Sequence, residues 1–150
     1  MTIVIIIPTY NEEGGIGTVL DELMTVCATM PEHKWIVLIV DGNSPDTTRA
    51  IVENYARRYD TIYLLQEQEK SGIASAYVTG IRYALGTFSP DVFVEFDGDG
   101  QHDPQYLIPM VRALEAGADY VIGSRYVPGG GIPANWVLYR KLLSRFGSLY

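Results

Sequence analysis

Short, apolar runs alternate with segments of helical periodicity along this chain. The β-branched run Thr2 to Ile7 and the run Trp35 to Val40 are apolar over almost their whole length, which is typical of strands covered on both faces of a sheet. Between them, Gly15 to Met30 carries apolar residues at helical spacing. Because strands and helices that alternate in this way build parallel sheets, the pattern constrains the fold class before any motif is considered.

The same alternation continues to the end of the 150-residue sequence. It predicts helices at Pro45 to Tyr59, Ser71 or Gly72 to Leu85, Pro104 to Ala116 and Asn135 to Tyr150, and strands at Thr61 to Leu65, Val92 to Phe96 and Tyr120 to Gly123. Ser44 is predicted to be the N-cap of the second helix, with Pro45 at its first position. We therefore expect one α/β domain over residues 1–150, a mostly parallel sheet with helices on both faces.

Composition argues against several classes of protein. The net charge of −7 and the isoelectric point near 4.7 disfavour a nucleic-acid binder, which normally presents a basic face. No apolar segment approaches the roughly 20 residues that span a bilayer. The single cysteine, Cys27, cannot form an internal disulfide, which fits a reducing compartment.

Polar and charged residues follow each of the predicted strands. In chain order these are Pro8, Tyr10 and Glu12, then Asp41, then Lys70, then Asp97 and Asp99, and finally Arg125. In open α/β sheets, ligands bind outside the carboxyl ends of the strands, where these residues would meet. The pattern therefore predicts a nucleotide-type site at that edge of the sheet.

Two carboxylates spaced two residues apart, Asp97 and Asp99, follow the fourth predicted strand. Their oxygens suit a hard cation such as Mg²⁺ or Mn²⁺, which is often bound by one or two carboxylates together with substrate phosphates. Gln101 is a further candidate ligand, whereas His102 is expected to make local hydrogen bonds. An EF-hand is excluded because its twelfth position would be Ile108 instead of glutamate.

Three other polar positions have both a functional and a structural interpretation. Asp41 could accept from the N–H groups of a base, although the residues after it read as a loop and helix cap. Glu12 could hold a ribose or base, while Glu13 is expected to face solvent. Lys70 could meet phosphate near a helix N-terminus or be an ordinary surface lysine. The chain has neither a P-loop nor a Gly-x-Gly-x-x-Gly motif, which disfavours kinases and NAD enzymes.

Arg140 and Ser144 lie one turn apart on the last predicted helix, within a broad apolar surface. One interpretation is a core helix with a solvated arginine. The other is a helix that lies at a membrane surface and holds an anionic lipid headgroup.

Taken together, these segments resemble the family two inverting glycosyltransferases of the GT-A fold and, within them, the dolichol-phosphate (polyprenyl-phosphate) mannose synthases. The segments that carry the resemblance are Ile7 to Glu12, Val40 to Asp46, Lys70 to Ile73, Asp97 to Pro104 and Gly123 to Gly130. The first two and the Asp-x-Asp are common to many such transferases. The Gln-His-Asp-Pro extension and the Gly-Ser-Arg-Tyr followed by glycines point more narrowly to polyprenyl-phosphate acceptors.

The resemblance implies a transfer of mannose from GDP-mannose to a polyprenyl monophosphate, with inversion and with Mg²⁺ or Mn²⁺. It implies that Asp97, Asp99 and Gln101 bind the metal and the donor diphosphate, that Pro8, Tyr10, Glu12 and Asp41 bind the nucleotide, and that Arg125, Arg140 and Ser144 bind the acceptor phosphate. Asp99 and Arg125 are the residues expected to act most directly on the reaction.

Two departures from the family pattern leave alternatives open. Gly42 stands where the family usually has a second acid, and the chain stops at Tyr150, so we expect a catalytic domain truncated at its C-terminal end. The alternatives are another inverting transferase, such as one that uses UDP-glucose, and a non-catalytic nucleotide-binding module. The substrates that the resemblance implies are a cytoplasmic nucleotide sugar and a membrane lipid. We therefore expect a peripheral protein on the cytoplasmic face of a membrane, or one anchored there through residues absent from this chain.

Overall fold

In the computed structural model, which describes residues 1–127, 130–132 and 136–147, strands and helices alternate from Thr2 to Glu115 as the sequence predicts. The elements in chain order are β1 (Thr2–Thr9), α1 (Ile16–Cys27), β2 (Lys34–Asp41), α2 (Thr48–Arg58), β3 (Ile62–Gln66), α3 (Ile73–Thr87), β4 (Val92–Glu95), α4 (Leu107–Glu115) and α5 (Leu138–Gly147). A single turn of 3-10 helix (Pro104–Tyr106) precedes α4. Residues 1–108 form one compact unit and residues 109–150 a second.

The first unit is built around a parallel sheet whose strand order, among the described residues, is β3-β2-β1-β4. The β1–β2 register runs from Thr2 opposite Lys34 to Thr9 opposite Asp41, so both strands reach the same edge of the sheet. On the other side of β1, Ile6 lies opposite Glu95. The loops that follow β1, β2 and β4 therefore leave the sheet side by side.

The central strands are buried because helices flank the sheet. All five residues from Ile3 to Ile7 are 0% exposed. Helix α3 packs closely on this sheet at Gly80, where an added Cβ would lie 2.7 Å from Ile6 Cγ2 and 3.0 Å from Val40 Cγ2. A side chain at Gly80 would push the helix away, so this glycine sets the distance between α3 and the sheet. The predicted fold class is confirmed.

The start of α2 differs from the prediction. The helix begins at Thr48 with Thr47 at the N-cap position, so Ser44 is not its cap and Pro45 is not its first residue. Ser44 instead donates from its backbone and its hydroxyl to Asp41. A buried carboxylate needs hydrogen-bond donors. Ser44 supplies two of them to Asp41, and it therefore does not cap the helix.

The second unit lacks the predicted strand Tyr120 to Gly123, since these residues form no strand in the structure. A strand requires backbone hydrogen bonds to a neighbouring strand. In the described sheet β4 is an edge strand, so no fifth strand is paired with it. Tyr120 and Ile122 are 79% and 70% exposed.

Helix α5 begins at Leu138, and the predicted helix boundaries Asn135 and Tyr150 lie outside the described residues. None of the described helices is long and apolar enough to span a membrane.

Candidate functional site

The loops after β1 and β2 are bound to each other. Successive backbone N–H groups of the first loop donate to side chains of the second: Asn11 to Ser44 Oγ (3.1 Å), Glu12 to Thr48 Oγ1 (2.9 Å) and Glu13 to Asp46 Oδ2 (3.2 Å). Asn11 and Asn43 adopt left-handed backbone conformations with φ of 60°, which asparagine tolerates better than most residues. The two loops therefore form one preorganised edge of the site.

Glu13 is exposed, as expected, and it also completes this connection. Its carboxylate accepts from the backbone N–H of Thr47 at 3.0 Å and from the Thr47 hydroxyl at 2.7 Å. It thus satisfies an N–H group at the start of α2, where a negative charge is favourable to the helix.

Asp41 is the fully buried carboxylate beneath these loops. Its Oδ1 accepts from Thr9 Oγ1 at 2.9 Å and from Ser44 Oγ at 2.6 Å, and its Oδ2 accepts from the Ser44 backbone N–H at 2.9 Å. A carboxylate offers about four acceptor positions, so one on Oδ2 remains for a ligand. Most of this side chain's hydrogen-bonding capacity is spent on holding the loop.

A cavity of about 210 Å³ opens between the ends of β1 and β2 and the start of α3. The predicted residues Pro8, Tyr10, Glu12 and Lys70 line it, and Gly42 lines it in place of its neighbour Asp41. Lys70 Nζ lies 3.9 Å from the centre of the Tyr10 ring, a cation–π contact. The structure therefore brings four of the predicted nucleotide-binding residues to a single cavity.

Asp97 and Asp99 follow β4 in a loop that is held tightly against β1. A Cβ added at Gly98 would lie 3.2 Å from Thr9 Cγ2 and 3.3 Å from Ile7 Cγ2, so the loop's close approach depends on the absence of a side chain there. This approach brings the loop near Glu12. Partial burial raises the pKa of the Glu12 carboxyl above its ordinary value, and the negative charges of Asp99, Asp46 and Asp97 raise it further.

Asp97, Asp99 and Gln101 offer the oxygen ligands that a hard divalent cation takes. Carboxylate oxygens are ligands that Mg²⁺ and Mn²⁺ prefer. A cation bound there would also offset the negative charges that raise the pKa of Glu12. Gln101 donates to Asp99 from its backbone at 2.9 Å and from Nε2 at 2.7 Å. Its Oε1 is therefore the side-chain atom that can act as a ligand.

His102 and Tyr77 hold the Asp97 segment in place. His102 Nδ1 accepts from the Asp97 backbone N–H at 3.1 Å, and its Nε2 lies 3.3 Å from Asp97 Oδ2. The Nδ1 atom thus acts as an acceptor and Nε2 faces the Asp97 carboxylate, and the prediction of a locally bonded His102 is confirmed. The Tyr77 hydroxyl lies 3.4 Å from Asp97 Oδ1. Burial and the negative charge of Asp97 raise the pKa of Tyr77 well above its usual range.

Sequence reasoning missed Tyr77. The only signal was an aromatic residue with a polar tip on a helix whose buried positions are small, Ala76, Gly80 and Ala84. Such a tyrosine usually finds a hydrogen-bond partner when it is buried.

In the second unit, the structure gathers the residues predicted to bind the acceptor phosphate. The guanidinium carbons of Arg125 and Arg140 lie 5.0 Å and 4.2 Å from the ring centre of Trp136. The Tyr126 hydroxyl donates to Ser144 Oγ at 2.8 Å. Trp136, which joins the two arginines, was not identified from the sequence.

Residues 4–149 match the family model described as glycosyl transferase family 2. The chain belongs to this family. The predicted resemblance is therefore confirmed over almost the whole sequence.

Three relatives share 36% to 40% identity with the chain. It is 40% identical over 150 residues to an undecaprenyl-phosphate mannosyltransferase of Micrococcus luteus, covering 100% of this chain and 58% of that protein. It is 37% identical to a polyprenol monophosphomannose synthase of Mycolicibacterium smegmatis, covering 97% and 53%. It is 36% identical to a dolichol-phosphate mannosyltransferase of Pyrococcus furiosus, covering 97% and 39%. The chain thus spans about half the length of the curated relatives it matches.

Solved structures show the same fold. A mannosyltransferase of Pyrobaculum calidifontis in complex with GDP-Man and Mn²⁺ is 30% identical, with a TM-score of 0.55 over 65% of this chain and 27% of that one. The TarS protein of S. aureus, in complex with UDP, reaches a TM-score of 0.60 at 21% identity over 85% of this chain and 40% of that one, which is a likeness of fold alone. The GT-A architecture is therefore confirmed.

Proposed function

We propose that this chain carries the donor site of an enzyme that transfers mannose from GDP-mannose to a polyprenyl monophosphate. The observation that carries the proposal is the cavity lined by Tyr10, Glu12 and Lys70. The negative charges of Asp97 and Asp99 act on Glu12 at this cavity. The support from relatives is twofold: the three similar proteins are named as mannosyltransferases of polyprenyl-type phosphates, and a similar solved protein was studied with GDP-Man and Mn²⁺.

In this proposal the nucleotide occupies the cavity, with Pro8, Tyr10 and Glu12 at its walls and Lys70 near the diphosphate. Asp41 contributes its remaining Oδ2 acceptor position or acts only through the loop that it holds. Asp97, Asp99 and Gln101 would hold a divalent cation, Mg²⁺ or Mn²⁺. When bound, the ion neutralises the negative charge that develops on the departing diphosphate.

The acceptor needs orientation more than it needs a base. The second pKa of a phosphate monoester is about 6, so the group already carries close to two negative charges near neutral pH. Arg125 and Arg140 attract and orient it for in-line attack on the anomeric carbon. A bond forms between the phosphate oxygen and that carbon, the bond to the diphosphate breaks with its electron pair, and the configuration inverts.

Calorimetric titration of this chain with GDP-mannose and UDP-glucose, each with and without Mn²⁺, tests the donor assignment. We expect metal-dependent binding of GDP-mannose that is lost in Asp99→Asn. A preference for UDP-glucose would make the chain part of a glucosyltransferase. Nucleotide binding without any transfer of labelled mannose to polyprenyl phosphate, also in the full-length protein, would indicate a non-catalytic module.

We also propose that α5 contacts the cytoplasmic face of the membrane that holds the acceptor. Its exposed side chains Leu138, Leu142 and Phe146 recur every four residues and so share one side of the helix. Sedimentation with vesicles of neutral lipid tests this: the double change Leu142→Ser and Phe146→Ser should release the chain to the supernatant. Ile122→Ser, which removes an exposed apolar residue outside α5, is the control, and unchanged sedimentation of the double variant would refute the helix as anchor.

A further inference from the structure

Two arginine side chains share one indole ring in the second unit. The guanidinium carbons of Arg125 and Arg140 both lie within 5.0 Å of the centre of the Trp136 ring. Both guanidinium groups are permanently charged, so they repel each other when they come close. The negative face of an indole attracts each of them, and the shared ring offsets part of that repulsion.

A second contact joins the same two segments of chain. Arg125 and Tyr126 lie in a turn, Arg140 and Ser144 lie on α5, and Trp136 is half-buried just before that helix begins. The Tyr126 hydroxyl donates to Ser144 Oγ at 2.8 Å. Tyr126 follows Arg125 directly in sequence, and Ser144 lies about one helical turn after Arg140. The turn and the helix are thus connected by a hydrogen bond and by the shared indole, which are independent of each other.

We infer that Trp136 is a positioning residue that holds Arg125 and Arg140 as a pair for one dianionic phosphate. The inference rests on the proposed function, because the phosphate is that of the polyprenyl acceptor. Two permanent charges match a group that carries nearly two negative charges. Arginine side chains lose considerable rotamer freedom when they bind, so an indole that orders them beforehand strengthens binding without touching the phosphate.

The inference depends on the face of the ring and not on its bulk, which two substitutions separate. Trp136→Phe keeps an aromatic face with a weaker attraction for cations, whereas Trp136→Leu keeps apolar volume without any such face. Tyr139→Leu is the matched control, because Tyr139 is an exposed aromatic residue of α5 (71%) that neighbours Arg140 in sequence. Circular dichroism of each variant verifies that it is folded.

The first measurement is the nuclear magnetic resonance spectrum of the arginine Nε–H and Cδ–H groups. In the unchanged chain and in Tyr139→Leu, the signals of Arg125 and Arg140 should be displaced by the ring current of the indole. The displacement should be reduced in Trp136→Phe and absent in Trp136→Leu. Undisplaced signals in the unchanged chain would overturn the inference, whatever the outcome of the donor titrations.

The second measurement is calorimetric titration of the same samples with farnesyl monophosphate. We expect the Kd to rise roughly tenfold in Trp136→Leu, as the loss of two exposed cation–π contacts allows, and to rise less in Trp136→Phe. The Kd for GDP-mannose should not change in either variant. Equal Kd values for farnesyl monophosphate in the Phe and Leu variants would overturn the inference, since the ring would then act only through its volume.

A failure of the proposed function has a different signature. If the arginine signals are displaced and GDP-mannose binds, but the unchanged chain does not bind farnesyl monophosphate, the acceptor assignment is wrong. The positioning role for that acceptor then falls with it.

Discussion

At one edge of the sheet, the buried carboxylate Asp41 and the partly exposed carboxylates near Asp97 lie in contrasting environments. Asp41, at the end of β2, is 0% exposed and accepts three hydrogen bonds from Thr9 and Ser44. The Asp97 side chain, after β4, is 39% exposed, and its neighbours include Glu12 and Asp99, which carry the same charge. The first carboxylate is satisfied by hydrogen bonds from protein donors, whereas the charges of the second group raise the pKa of Glu12.

The difference indicates a structural role for Asp41 and a ligand-binding role for the carboxylates near Asp97. A buried carboxylate that is satisfied by hydrogen bonds contributes to stability, and removing it leaves donors without partners. A partly exposed cluster of like charges lowers stability and is retained where a cation or substrate compensates for it. Substitutions in the two places should therefore affect different measurements.

The largest effect is expected at Asp99. Asp99→Asn should reduce Mn²⁺-dependent mannose transfer or GDP-mannose affinity by about 100-fold or more, because it removes a charged metal ligand. The free energy of unfolding should change by less than about 0.5 kcal/mol, as for other exposed sites.

Asp103→Asn is the control for this change, since Asp103 is an exposed acid of the same loop whose carboxylate accepts from the Gln105 backbone N–H. An equal loss of transfer in both variants would mean that overall charge matters more than ligation. Retained turnover of Asp99→Asn at normal metal concentration would contradict the proposed metal site.

Asp41→Asn should mainly lower stability. The amide has one acceptor oxygen where the carboxylate uses two, and its NH₂ group would face a donor from Thr9 or Ser44. We expect a loss of about 3 kcal/mol in the free energy of unfolding, measured by urea denaturation. Asp60→Asn, at an exposed acid of the same unit, should change it by less than about 0.5 kcal/mol. A stable Asp41→Asn variant with weakened GDP-mannose binding would reverse the comparison and make Asp41 a ligand for the base.

His102 lies between these extremes, because it acts through Asp97. His102→Leu removes the acceptor for the Asp97 backbone N–H and the contact at Asp97 Oδ2, and it should weaken Mn²⁺ binding roughly tenfold. His102→Asn can restore an acceptor and should lose less. Equal Mn²⁺ affinities in the Leu variant and the unchanged chain, measured by calorimetry, would show that the Asp97 loop is held without the imidazole.

The smallest effect is expected for Glu12→Gln in the absence of metal. The pKa of Glu12 is raised in the folded chain, so the ionised carboxylate opposes folding, and neutral Gln should stabilise the chain by less than about 1 kcal/mol. The gain should be absent below the unfolded-state pKa, grow as the pH rises from that value to the raised pKa of the folded state, and stay constant above it. Thermal unfolding at several pH values measures it, and a gain that grows toward acid pH would contradict the assigned repulsion.

Much of the first unit could be predicted from the sequence because its strands are continuously apolar. The predicted and observed bounds of β1, β2, β3 and β4 agree within a few residues, and parallel pairing then places the following loops at one edge. The same reasoning failed at Tyr120 to Gly123, which is rich in strand-forming residues but forms no strand in the structure. A strand needs a neighbour for its hydrogen bonds, and propensity does not supply one.

The sequence by itself determined which residue types meet at the site, because the order of strands and helices carries Glu12, Lys70, Asp97 and Asp99 to the same edge of a parallel sheet. Only the tertiary structure decided which of them have protein partners. Ser44 donates hydrogen bonds to Asp41 and does not cap a helix. Trp136 makes cation–π contacts with Arg125 and Arg140, which lie 15 residues apart in sequence. Hydrogen bonds and cation–π contacts act over a few ångströms, so they depend on distances that the order of residues does not contain.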